Sequence, residues 1–182
     1  MTSQKIQINR APVLTLWAAV VAKRLGYDAE EALTLGRAVA GLNAQLKARH
    51  LGIHETSRTK KGSSSTTRPP KVRAPLEVEL LGRVVPVVKT PNGVRSAESG
   101  KPADPAAVQR YLEGKFGESL PAVRKAFTAL ARAYDPEALA ERGFALYERF
   151  RPEIPGGQRG WGAKGMLDLG AVAEMARESR AR

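Results

Sequence analysis

NRAPVLTLWAAVVAKRLGYDAEEALTLGRAVAGLNAQLKARHLG, residues 9–52, carries the strongest structural signal in the chain. From Ala11 to Leu25 it places Val13, Leu14, Leu16, Trp17, Val20 and Val21 together, with Thr15 as the only polar residue before Lys23. A helix apolar on nearly every side has to be enclosed, so this segment predicts a buried helix. Asn9 stands at the N-cap position and Pro12 in the first turn, where a missing N–H breaks no intrahelical bond. Gly26 can take the left-handed conformation that ends a helix, and Asp28 with Glu31 makes a variant capping box for a second one. That second helix is expected to run to about Leu51 and stop at Gly52, with Lys47, Arg49 and His50 where cations complement the dipole. Ala32, Gly36 and Ala40 recur at i, i+4, i+8 as a ridge of small residues that admits a closely approaching helix.

With Ala18 as the first position of a twenty-residue window, Ala22 falls at a small position, Gly26 at the turn, and Val21, Leu25, Ala32 and Leu35 at inward-facing places. In this respect the stretch resembles a helix-turn-helix. In DNA-binding versions the start of the second helix faces the groove and the phosphates. Here that start holds Asp28, Glu30 and Glu31, which phosphates would repel, and the first helix leaves no face for water. The favoured expectation is therefore an αα-hairpin that forms a core or a dimer interface, with Trp17, Ala32, Gly36 and Ala40 as its contact residues.

The net charge of +12 is concentrated. Residues 1–54 carry seven Lys or Arg against three acids, residues 55–74 six against one, and residues 75–182 seventeen against fourteen. A surplus of +9 thus lies in the first 74 residues, which suggests a side that faces a polyanion rather than a general solubility feature. The stretch ETSRTKKGSSSTTRPPKVRA, residues 55–74, is rich in Ser, Thr, Lys and Arg and lacks aromatics. It cannot bury enough apolar surface to offset chain ordering and reads as a flexible basic linker. Arg58, Lys60, Lys61, Arg68, Lys71 and Arg73 could lie along a phosphate backbone, a contact that reads no base sequence and weakens with salt. A solvated linker with no partner is the competing reading.

The character changes again at Pro75. LEVELL at 76–81 and VVPVV at 84–88, around a Gly82-Arg83 turn, then Pro91-Asn92-Gly93 and a third strand at Val94 to Ala97, predict a small antiparallel meander. Pro86 cannot donate to a ladder, so its strand is expected at an edge or with a bulge. Glu77 and Glu79 share a face but have no partner His or Cys, and solvent-facing alternation accounts for them. Helices are expected behind Asp104-Pro105, Ser119 with Pro121, and Asp135-Pro136, and a short last helix behind Asp168. Lys5 to Ile8 alternates like a short strand that could pair with the meander.

PGGQRGWGAKG, residues 155–165, gathers glycines around Trp161 with Arg159 and Lys164 beside it. Gly160, Gly162 and Gly165 satisfy G-x-G-x-x-G in spacing, but a dinucleotide fingerprint needs a strand before it, and a proline-rich loop precedes it here. Two readings remain: a loop offering bases a Trp to stack on and phosphates two cations, or a Trp that plugs a groove.

These residues predict a mainly α, α+β protein in three parts. They are a helical hairpin at 1–54, a basic linker at 55–74, and a meander packed with three to four helices at 75–182. Hydrophobic residues make up 42% of the chain, enough for a core, while aromatics at 5% leave that core to Ala, Val and Leu. The polar start MTSQKIQINR has no signal-peptide h-region, and the longest apolar run, Leu16 to Ala22, is far short of a membrane span. A cytoplasmic protein is the default expectation. Catalysis finds little support: there is no Cys, and His50 and His54 are separated by the helix-ending Gly52 with no third ligand. No cofactor, metal site or small-molecule substrate is evident. The leading expectation is a non-catalytic protein that binds DNA or RNA through backbone phosphates, and the rival one is an assembly module whose hairpin forms a homo-oligomer or partner interface.

Overall fold

Every residue of the first helix from Pro12 to Ala22 is buried. This holds in a computed structural model that describes residues 4–50, 76–98, 100–154 and 163–181. The elements in order are β1 (Lys5–Ile8), α1 (Arg10–Arg24), α2 (Ala29–His50), β2 (Leu76–Leu80), β3 (Arg83–Thr90), β4 (Gly93–Glu98) and β5 (Lys101–Pro102). They continue with α3 (Pro105–Phe116), a 3₁₀ turn at Gly117–Ser119, α4 (Leu120–Arg132), α5 (Pro136–Phe150), β6 (Gly165–Asp168) and α6 (Leu169–Arg180). The fold is α+β and mainly α, and the hairpin, the meander and the C-terminal helices share one continuous core.

Helix α1 is the axis of that core and touches α2, α3, α4 and α5. The Trp17 ring meets Phe127 and Phe150 edge-on, with centroids 5.7 and 5.3 Å away. Its indole N–H donates to the Gly143 carbonyl at 2.8 Å, which satisfies the one polar atom of a fully buried ring. Thr15, equally buried, donates to the Ala11 carbonyl one turn back. Asn9 stands at the N-cap, but its side chain donates to the Ala163 carbonyl at 3.3 Å instead of capping α1.

The ridge on α2 is filled by α1. A Cβ at Gly36 would lie 2.5 Å from the Thr15 carbonyl oxygen and 2.9 Å from the Ala19 nitrogen, so only glycine permits this backbone approach. The capping box forms: the Glu31 N–H donates to Asp28 Oδ1 at 2.8 Å, and the Asp28 N–H donates to Glu31 Oε1 at 3.1 Å. Glu31 also reaches the meander, where its Oε2 accepts the Val94 N–H at 2.9 Å. One turn along, Thr34 Oγ1 accepts the Ser96 N–H at 3.2 Å. Val94 and Ser96 are alternate residues of β4 whose N–H groups face away from β3, so α2 supplies acceptors to a strand edge that would otherwise be open.

The meander runs in the order β2-β3-β4-β5. Its first turn is Leu81-Gly82, one residue earlier than the sequence suggested, with φ of +52° and +71°. Positive φ at both central residues is the type I′ geometry that matches strand twist, normally the place of Asn or Gly. Leu81 holds it because its side chain is buried against Gly143 of α5, where an added Cβ would clash with Leu81 Cδ2. Burying a leucine is worth about 1.5–3 kcal/mol, which exceeds the ~1–2 kcal/mol cost of the left-handed backbone. Pro86 lies in an interior strand without a bulge, contrary to expectation. The β3–β4 register ends at Val87↔Ser96, one residue before it, so no bond to β4 needs the missing N–H.

β1 pairs with β6 and not with the meander: Lys5↔Asp168 through Ile8↔Gly165, antiparallel. The chain enters α1 directly after Ile8, so this strand is confined to the N-terminal end of α1, and β6 arrives there, whereas the meander lies along α2. Asp104 and Asp168 cap their helices with side-chain bonds, while Ser119 and Asp135 make none. Val123, Phe127 and Leu130 of α4 are fully buried, as their spacing implied.

Two substitutions test this packing. Gly36→Ala should lower stability by about 1–3 kcal/mol through overpacking against α1, measured by urea denaturation. Gly143→Ala and Leu81→Gly should each destabilise but couple: with Leu81 gone, the added methyl should cost clearly less, by roughly 1 kcal/mol in a double-mutant cycle.

Candidate functional site

The residues singled out in the sequence fall into three groups. Arg58, Lys60, Lys61, Arg68, Lys71 and Arg73 lie outside the described residues, as do Arg159 and Trp161. Lys164 is described and exposed, one residue before β6. The two flanks of the glycine-rich stretch are held together: Glu153 bridges Met166, and a Cβ at Gly165 would lie 2.4 Å from the Glu153 carbonyl oxygen. Arg10 Nε donates to the Pro152 carbonyl at 2.8 Å. Burial, and then the neighbouring Arg151, lower the Arg10 guanidinium from its ordinary value, although a guanidinium stays charged at any ordinary pH.

Trp17, Ala32, Gly36 and Ala40 form the third group. All four face inward, and Ala32, Gly36 and Ala40 meet the chain's own core. The small-residue ridge has its partner helix within the same molecule.

Ion pairing is sparse and one-sided. Among the described residues it comprises Arg95 with Glu30, Arg110 with Asp104, and Arg149 with Glu178. None involves Lys5, Arg10, Lys23, Arg24 or Arg37. Arg24 donates to the Tyr134 carbonyl at 3.1 Å and Arg37 stacks 4.4 Å over the Tyr111 ring, so both are held by groups that carry no opposing charge. Of the three hairpin acids, Glu30 is the one in an ion pair, and Asp28 and Glu31 are committed to the cap and to β4.

The helices also enclose a cleft that no local sequence signal marked. Its volume is about 350 Å³, and it opens between α1, α2, α3 and α4. Leu16, Ala19 and Val20 of α1, Leu33 of α2 and Ala131 of α4 make an aliphatic floor. Lys23, Arg24, Arg124 and Arg132 stand around it, and no carboxylate among the described residues lines it. Each cation comes from a helix end or an exposed helix face, where a basic residue is common and carries no signal by itself. Only the crossing of α1 over α4 brings the four together.

No protein-family model, curated protein or solved structure matches this chain. The functional reading therefore rests on charge and geometry.

Tyr147, packed at 2% exposure beside Phe150, provides a pH test of the core from which the Arg10 end of α1 is anchored. Burial pushes its phenol up to about 12 from an ordinary 10.0. The unfolded chain ionises first, so the stability from keeping this group neutral is complete below pH 10.0 and is lost as pH rises through about 12. Denaturation across that interval should show a fall to which Tyr147 contributes roughly 2 kcal/mol, and Tyr147→Phe should remove that part of the slope.

Proposed function

We propose that the protein binds nucleic acid, mainly through backbone phosphates and without chemistry. The observation that carries this reading is the unneutralised charge of the N-terminal part. Residues 1–74 hold a surplus of +9, and none of Lys5, Arg10, Lys23, Arg24 and Arg37 is in an ion pair among the described residues. Neutral carbonyls and a ring hold Arg10, Arg24 and Arg37, so no ion-paired carboxylate among the described residues cancels their charge, which adds to that of the basic stretch at 55–74. Long-range attraction of a polyanion depends on this summed field.

The hairpin itself does not act as a reading head in this proposal. The N-terminus of α2, which would face the groove in a helix-turn-helix, is occupied by β4 through Glu31 and Glu30. Contact falls instead to Arg58, Lys60, Lys61, Arg68, Lys71 and Arg73, with Arg159, Trp161 and Lys164 as a second element that can stack on a base and hold phosphates.

Binding of nucleic-acid-stripped protein to labelled duplex DNA, single-stranded DNA and structured RNA across a salt series tests the proposal. Affinity should fall steeply with salt for the preferred ligand. Replacing the six basic residues at 58–73 with Ser should weaken binding and make the salt dependence shallower, by up to roughly one unit of slope for each phosphate no longer engaged. Absence of binding to all three ligands at low salt would sink the proposal.

A further inference from the structure

We propose that the cleft between α1, α2, α3 and α4 is a binding site for an amphipathic anion, an aliphatic chain that ends in a carboxylate. The inference is independent of the nucleic-acid reading and rests on the cleft's composition.

The floor and the rim make different demands. Leu16, Ala19, Val20, Leu33 and Ala131 offer only aliphatic surface, with no aromatic ring among the lining residues. A nucleobase placed there would find no ring to stack on, and its N–H donors would face cations, with no carboxylate among the described residues lining the cleft. The polar groups that could have served it are already used. Gln109 donates to Glu113 at 3.0 Å and accepts from Arg124 at 3.3 Å, and Thr128 donates to the Arg124 carbonyl at 2.7 Å. A peptide backbone meets the same obstacle, since its N–H groups also need acceptors. An alkyl chain needs none, and burying it is favourable in proportion to its area.

The rim specifies the other end of the ligand. Lys23, Arg24, Arg124 and Arg132 surround the floor, no carboxylate among the described residues lines it with them, and none of the four is in an ion pair there. Arg24 is held at the rim by the bond from one terminal nitrogen to the Tyr134 carbonyl, which fixes where its charge stands. Arginine forks match a carboxylate in geometry as well as charge. The volume, about 350 Å³, falls in the range of small-molecule sites.

The test is an amide-resolved NMR titration of the nucleic-acid-stripped full-length protein with sodium decanoate, kept below its micelle-forming concentration. Decanol and sodium acetate serve as probes that keep only the chain or only the charge. Decanoate should produce saturable shifts centred on the amides of Ala19, Lys23 and Ala131. Arg124→Gln with Arg132→Gln, both at exposed positions, should weaken it by roughly tenfold. Thr128→Phe should abolish binding by filling the cleft from its side, with the thermal midpoint of each variant confirming that it folds. Decanol and acetate should each bind far more weakly than decanoate. Absence of saturable shifts with decanoate overturns the proposal. So does unchanged affinity in the folded double variant, which would mean the rim has no part, or binding of decanol or acetate as tight as that of decanoate.

Discussion

Enclosure of α1 is the constraint on which the rest of the fold depends. An eleven-residue stretch, Pro12 to Ala22, has no face for water, so elements must cover it on every side. One partner helix can cover only a stripe, and for this reason the chain returns to α1 four times, with α2, α3, α4 and α5. Trp17 links two of those returns, resting on Phe127 of α4 and on Phe150 and the Gly143 carbonyl of α5. The basic stretch at 55–74 therefore joins two parts that are packed on a common axis.

Helix α2 has two obligations, and its sequence shows both once they are known. One face carries Ala32, Gly36 and Ala40 against α1, where even a methyl group at 36 would meet backbone. Another carries Glu31 and Thr34, which take the free N–H groups of Val94 and Ser96. A helix rise of three residues and a strand advance of two are near enough in length for one row of side chains to serve one strand edge. Glu31 serves its own helix cap and the strand with the same carboxylate. Acidic residues that would have repelled phosphates at the start of a recognition helix thus bind the protein's own cap, strand and Arg95.

The charged side chains divide along similar lines. Cations that hold carbonyls or stack on rings form no ion pair among the described residues, so the fold can use Arg10, Arg24 and Arg37 structurally while they keep contributing to the positive field. The cleft carries this further, since Arg24 both ties α1 to the Tyr134 carbonyl and stands at the edge of an aliphatic pocket.

Whatever depended on local spacing was legible in the sequence. The buried helix, the Asp28–Glu31 capping box, the meander, the helix capped by Asp104 and the helix opened by Pro136 all follow from periodicity and start signals acting over a few residues. So did the charge asymmetry, which is a property of composition. What the ridge at Ala32, Gly36 and Ala40 packs against was not legible, because a small-residue ridge fits a helix of its own chain or of another equally well. The pairing of β1 with β6, the Leu81-Gly82 turn and the position of Pro86 inside the sheet depended on neighbours distant in the chain. The cleft is the extreme case. Its floor and its four cations come from separate helices, each with an ordinary basic residue at its end or on its exposed face, and only their packing around α1 turns these into one lined site. Local chemistry determined the elements, and the need to enclose α1 decided which of them met.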